Sequence, residues 1–207
     1  GRSQTGLVCG SSVDDYENDL IKKHEFTRPE KELDRINHIK TTGAQTGNVF
    51  LAYKNIGAID EIIENWCSKN PQYDFIAEDD IQHSIWIVND DKVIKKITDI
   101  FKTKVPCTYI ADGYHRAASA AKVRSALGKK ATENTNYFLT TLFPSNQLKI
   151  MDYNRVVKDL NGLSVDDLLY RLSAQFDIGK VDNAYQPEAL HHFGMFINGQ
   201  WYRLIAR

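Results

Sequence analysis

Two short stretches carry residue types that suit phosphate chemistry. The first is Asp112-Gly113-Tyr114-His115-Arg116, set between the apolar run ending at Ile110 and an alanine-rich run, Ala117, Ala118, Ala120 and Ala121. Alanine is the best helix former, so the stretch reads as strand, glycine turn, helix. Such a turn points backbone amides outward at the positive end of a helix dipole, and that suits an anion. Arg116 in the first turn can fork two hydrogen bonds onto a phosphate, with His115 beside it. The second stretch is His24-Glu25. Phosphoryl transfer needs an electrostatic cradle and a carboxylate that positions or deprotonates the nucleophile. Glu25 is the candidate general base, with His24 next to it. Asp112 could hold a magnesium ion through one carboxylate, or orient His115 or Arg116. The plainer readings remain open at this point. Asp112 would cap a helix, Gly113 would merely allow the turn, His115 would pack, and Arg116 and Glu25 would be solvated charges.

Elements that position these residues follow from pattern. Thr5 to Cys9 reads as a strand and Ser11 to Asp19 as loop. Thr27-x-x-Glu30 fits a capping box, and Pro29 in the first turn costs no helical hydrogen bond. That helix runs through Leu33, Ile36 and Ile39 and stops at Gly43. Asn48 to Tyr53 is a strand, and Ile59, Ile62, Ile63 and Trp66 lie at helical spacing. Tyr73, Phe75 and Ala77 alternate, Glu78-Asp79-Asp80 makes an acidic turn, and Ser84 to Val88 reads as another strand. Asp90 or Asp91 caps a helix carrying Val93, Ile94, Ile97, Ile100 and Phe101. Pro106 to Ile110 is the strand before the glycine turn. Gly128 to Asn136 is a polar loop, and Tyr137 to Phe143 and Gln147 to Met151 read as strands. Ser164 caps a helix with Leu168, Leu169 and Leu172 inside. Asn198-Gly199 between apolar runs is the strongest short hairpin signal. Helices and strands mix without strict alternation, which predicts an α+β fold.

Composition narrows the class. The 207 residues are 42% hydrophobic and 26% charged, a globular balance that allows a sizeable core. A net charge of -1 disfavours nucleic acid as a partner, and the chain has no long apolar run for a membrane. Cys9, Cys67 and Cys107 lie far apart, which argues against a disulfide framework or a zinc site and suits a reducing, cytoplasmic setting. Position 28 is Arg, so His24-Glu25 lacks the second His of HExxH. Gly128-Lys129-Lys130 lacks the rest of a Walker A loop, no GxGxxG is present, and no Ser or Cys sits in a nucleophile elbow. No residue set is assigned to a dedicated metal site.

The string Tyr109 to Ala121 resembles the ADGHHR signature of the domain-of-unknown-function family numbered 1015. Residues 22–32, 44–51, 83–88 and 142–163 match as well, so the resemblance covers essentially the whole chain. Members of that family are longer at the N-terminus. The chain opens Gly-Arg-Ser without Met and reads as a fragment lacking such a segment. The chain is also similar in three places to the archaeal ADP-dependent free-serine kinase, whose fold is ParB/sulfiredoxin-like. Its HE pair before a helix resembles His24-Glu25, its DGHHR resembles Asp112 to Arg116, and its C-terminal tail resembles Asn154 to Ala206. The resemblance implies a ParB/sulfiredoxin-like core over 1–150, a mixed sheet with flanking helices, and a C-terminal helix and β-hairpin subdomain over 151–207. It further implies ADP or ATP with Mg²⁺ held at Asp112, Gly113, Tyr114, His115 and Arg116. His24 and Glu25 would then serve catalysis on a small hydroxyl-bearing metabolite, serine-kinase-like, and a homodimer is open. The alternative is a non-catalytic ParB-like nucleotide-binding or interaction module. One departure stands out: Tyr114 replaces the first His of the signature, and tyrosine carries no positive charge and does not stand in for imidazole on a metal.

Overall fold

A computed structural model describes residues 2–25 and 27–207; Gly1, and Phe26 within the 22–32 match, lie outside the described residues. The chain divides into two compact units, Gly1–Lys149 and Ile150–Arg207.

The first unit is built on a mixed sheet of β1 (Leu7–Ser12), β2 (Ile21–Lys22), β3 (Val49–Tyr53), β6 (Thr108–Asp112) and β7 (Tyr137–Pro144), in the order β1-β7-β3-β6-β2. β1 runs antiparallel to β7, β3 parallel to β7 and antiparallel to β6, and β2 parallel to β6. Strand period explains which side faces in. Val49, Leu51 and Tyr53 of β3 alternate as buried residues, as do Phe138, Thr140 and Leu142 of β7. Against this face lies α5 (Tyr114–Leu127), with Ala117, Ala118, Ser119, Ala120, Ala121 and Val123 buried. A helix buried on nearly every side must be small-chained to let its neighbours approach, which accounts for the alanine run.

Around this centre stand α1 (Val13–Glu17), α2 (Pro29–Thr42), α3 (Gly57–Cys67) and α4 (Asp91–Lys104). Gly43 ends α2 in the left-handed region at φ 67°, and Asp90 caps α4 through Lys92 and Val93 N–H. Tyr53 and Phe101 meet edge to face at 5.0 Å, joining α4 to the core. A separate hairpin, β4 (Tyr73–Ile76) and β5 (Gln82–Ile85), closes through the Glu78–Asp80 turn. The second unit carries α6 (Val165–Ser173) and the antiparallel sheet β8-β10-β9, from β8 (Phe176–Val181), β9 (His192–Ile197) and β10 (Gln200–Ala206). Ser164 and Asp167 form a full capping box on α6. Asn198 and Gly199, at φ 47° and 75°, link β9 to β10 as a two-residue turn.

The fold is α+β with a mixed sheet. Several local expectations are corrected. Residues 13–17 form α1 rather than loop, because Ser12 accepts from Asp15 N–H and caps it. Gln147 to Met151 is not a strand: Ser145–Gln147 is a 3₁₀ turn, and Ile150 and Met151 stand in solvent. The strand expected at Ser84 to Val88 is β5, which begins two residues earlier and ends at Ile85. The Thr27 capping box does not form. Arg28 occupies the N-cap without a side-chain bond, and the Thr27 hydroxyl instead donates to Glu32.

Candidate functional site

The two chemistry-bearing stretches share one edge of the sheet. Ile21 pairs with Thr108 and Lys22 with Tyr109 in parallel, so both strands deliver their next residues at the same end. His24 and Glu25 leave β2 there, and Asp112 to Arg116 leave β6 there. The His24 ring stands edge-on to the Tyr114 ring at 5.1 Å, with Nδ1 2.6 Å from the Tyr114 hydroxyl oxygen. That hydroxyl donates to the Ile110 carbonyl at 2.5 Å, so the imidazole N–H donates to it. Tyr114 is buried, and its polar tip is committed to these two contacts. Burial, then the negative charges of Glu25 and Asp112, push its phenol above the ordinary value. Asp112 stands just before α5, and Glu25 follows His24, whose ring meets Tyr114 at that helix start.

β6 reaches the turn through an irregularity. Phe50 pairs with Asp112 but Leu51 with Ile110, so Ala111 is skipped and the end of the strand is re-aimed. Gly113 follows at φ 97° and is the N-cap of α5, with no side-chain cap bond; Asp112 does not cap the helix. The Asp112 carboxylate pairs instead with the Arg116 guanidinium at 2.9 Å. Arg116 N–H and Ala117 N–H both donate to the Gly113 carbonyl, at 2.9 and 3.1 Å, which leaves the Tyr114 and His115 amides ahead of the helical ladder. The Arg116 side chain folds back over the turn. A Cβ on Gly113 would lie 2.9 Å from Nη2, and one on Gly47 would lie 3.1 Å from Cδ. Arg116 Nε is buried, with no hydrogen-bond partner among the described residues.

His115 ties the turn to α2. Its Nε2 accepts the Arg28 N–H at 2.9 Å, which makes it the neutral, Nδ1–H tautomer by inference from that bond. One turn on, Ser119 Oγ donates to the His115 carbonyl at 2.6 Å. Beside it Glu32 is buried, taking hydrogen bonds from Lys122 and from Thr27. The Lys122 ammonium, then the Thr27 hydroxyl, hold the Glu32 carboxyl below its ordinary range. These ties fix α2 against α5.

The same packing opens a cavity of about 110 Å³ lined by Arg35 and His38 of α2, the loop residues Gln45, Thr46 and Gly47, and Arg116. His38 Nε2 and Thr46 Oγ1 are 3.1 Å apart. Arg35, His38 and Thr46 escape the motif reading, because charged residues on a helix face read first as solvated. Their only sequence signal is the three-residue spacing of Arg35 and His38, which puts both on one face. No group of three His, Cys, Asp or Glu side chains suited to a metal ion lies among the described residues. Among them, too, no helix is long and apolar enough to cross a membrane.

A family model described as a protein of unknown function, DUF1015, matches residues 1–207. No curated protein and no solved structure matches the chain. The chain belongs to the DUF1015 family.

Proposed function

We propose that this DUF1015 member is a nucleotide-binding phosphotransferase acting on a small hydroxyl-bearing acceptor. One observation carries the reading: parallel pairing of β2 with β6 brings the His24-Glu25 stretch to the end of the sheet where Asp112 leads into α5, with the His24 ring against Tyr114 and Arg116 over the glycine turn. The nucleotide, ADP or ATP, places its terminal phosphates at the Tyr114 and His115 amides, with Nδ1–H of His115 and the Arg116 guanidinium as further donors. Glu25 takes the proton of the acceptor hydroxyl as its oxygen forms a bond to the terminal phosphorus. The bond from that phosphorus to the leaving nucleotide oxygen breaks. His24, held by Tyr114, positions the segment that carries Glu25.

Magnesium bound to the phosphates would neutralise charge developing on their oxygens. Asp112 fits this role as a single, largely exposed carboxylate, and Mg²⁺ commonly takes only one or two carboxylates besides substrate oxygens.

The test uses labelled ADP or ATP with Mg²⁺ and a panel of hydroxyl amino acids. Transfer of label that Glu25→Gln abolishes, with nucleotide binding retained, is the expected result. Nucleotide binding without transfer to any acceptor overturns the catalytic reading. It would favour a binding module, to which the buried, internally committed Tyr114 also points. A wild-type protein that binds no nucleotide overturns both readings.

A further inference from the structure

The cavity beside Arg116 is lined by basic side chains and by no carboxylate, although Arg116 itself is paired with Asp112. The basic residues lining its volume of about 110 Å³ are Arg35, Arg116 and His38. An anion between the two guanidinium-bearing residues would be attracted to both. Arg116 gives Nη2 to Asp112 but leaves Nε buried and without a partner among the described residues. A buried N–H left unmade carries its full desolvation penalty, so the arrangement is incomplete as it stands. Thr46 adds a hydroxyl held beside His38 at 3.1 Å. Each of these groups can donate, and a phosphate, acceptor-only when fully ionised and multiply charged, can take all of them at once.

The neighbouring space says what the phosphate is attached to. A second cavity, of about 410 Å³, shares Ile39 and Gln45 with the first. Gln45, which lines both, is held in place: its Nε2 donates to the Tyr137 carbonyl at 3.0 Å, and Leu139 N–H donates to its Oε1 at 2.9 Å. Beyond it, Ala120, Val123 and Phe138 supply apolar walls, and Thr132 and Asn134 supply a polar margin. Apolar walls with a few hydrogen-bonding groups suit a heteroaromatic ring better than a sugar, which carries hydroxyls on most of its carbons.

We propose that Arg35, His38 and Thr46, with Arg116, form a phosphate pocket of a nucleoside-phosphate site, and that the base occupies the cavity bounded by Ala120, Val123 and Phe138. This deepens the phosphotransferase reading and rests on it only through Arg116. It assigns ligand contacts to three residues outside both motifs.

Calorimetry of the full chain with ADP, adenosine and inorganic pyrophosphate tests it, on wild type, Arg35→Ala, His38→Ala and Ala44→Trp. Ala44 lines the larger cavity and is exposed, so a bulky side chain there blocks the base while sparing the core. The expected result is that Arg35→Ala and His38→Ala each weaken ADP and pyrophosphate about ten-fold, the scale of a lost charge-assisted contact. Ala44→Trp weakens ADP and adenosine and leaves pyrophosphate unchanged. Wild-type affinity for ADP in both Arg35→Ala and His38→Ala, with unchanged circular dichroism, overturns the phosphate pocket. Wild-type ADP and adenosine affinity in Ala44→Trp overturns the placement of the base. Absence of phosphoryl transfer, with these binding effects intact, defeats only the catalytic reading. A wild-type chain that binds none of the three probes defeats this one.

Discussion

Gly113 and Gly199 both turn the chain at positive φ, 97° and 75°, yet under opposite conditions. Around Gly199 nothing lies within 4 Å of where a Cβ would sit, and Asn198 before it completes a two-residue hairpin. Around Gly113, a Cβ would meet the Arg116 guanidinium at 2.9 Å and the Val49 backbone at 3.2 Å. Gly199 is needed for its torsion alone. Gly113 is needed for torsion and for space, because an arginine and a neighbouring strand are packed onto the turn. A glycine that side chains crowd marks where the fold brings groups together; a glycine in open space marks only a reversal.

The comparison is sharpest in substitution. Gly113→Ala is expected to lose about 3 kcal/mol of unfolding free energy, from strain and overpacking together. It should also displace Arg116 and abolish nucleotide binding. Urea unfolding and calorimetry read the two effects, and a loss no larger than that of Gly199→Ala would break the contrast. Next in size is Glu32→Ala, at about 2 kcal/mol, because it removes a buried carboxylate that receives Lys122 and Thr27. This site also has a pH signature. The folded carboxyl sits below its ordinary 4.5, so its contribution is complete above that value and lost as pH falls through the depressed folded value. Glu32→Gln should flatten that acid limb; an unchanged limb would remove Glu32 from the account.

Gly199→Ala should cost about 1 kcal/mol, as torsional strain without a clash, and Gly199→Asn should recover most of it, since Asn tolerates the left-handed region. The smallest effect is expected at Tyr53. Its hydroxyl is buried and has no partner among the described residues, so Tyr53→Phe should change stability by no more than about 0.5 kcal/mol. Burial pushes this phenol up to about 12 from the ordinary 10.0. The unfolded chain gives up its proton first, so wild-type stability falls as pH rises from about 10 to about 12, and that part of the fall is absent in Tyr53→Phe.

Much of the frame was legible because its signals are local. The alanine run predicts α5, Gly43 the end of α2, Asp90 and Ser164 their caps, and Asn198-Gly199 the hairpin. Each rests on residues a few positions apart. The failures involve partners distant in the chain. Thr27 has the right spacing to cap with Glu30, but Glu32, itself held by Lys122 from α5, captures its hydroxyl. Residues 147–151 look like a strand, but no strand lies beside them among the described residues. Ser12, Asp14 and Asp15 do signal α1, in a helix too short to show a period. For the site, the two motifs were readable one at a time. Arg35 and His38 were not, because only the fold brings them to the same cavity as Arg116.

The edge on which the site depends is two rungs long, and it joins positions 21 and 108 across most of the first unit. A seam of two pairs holds few hydrogen bonds beside the five- and six-pair ladders of β3 and β1 with β7, so it is the weakest junction of the sheet. A two-residue outer strand is also among the first segments to fray, at a free energy below that of global unfolding. Slow amide exchange in β3 and β7 together with fast exchange at Thr108, whose N–H donates to the Leu20 carbonyl at 3.0 Å, is the expected pattern. Opening of this seam would release the segment at His24 and Glu25 while the interior stays intact, and under the proposed function a ligand held by both stretches would act as the clasp.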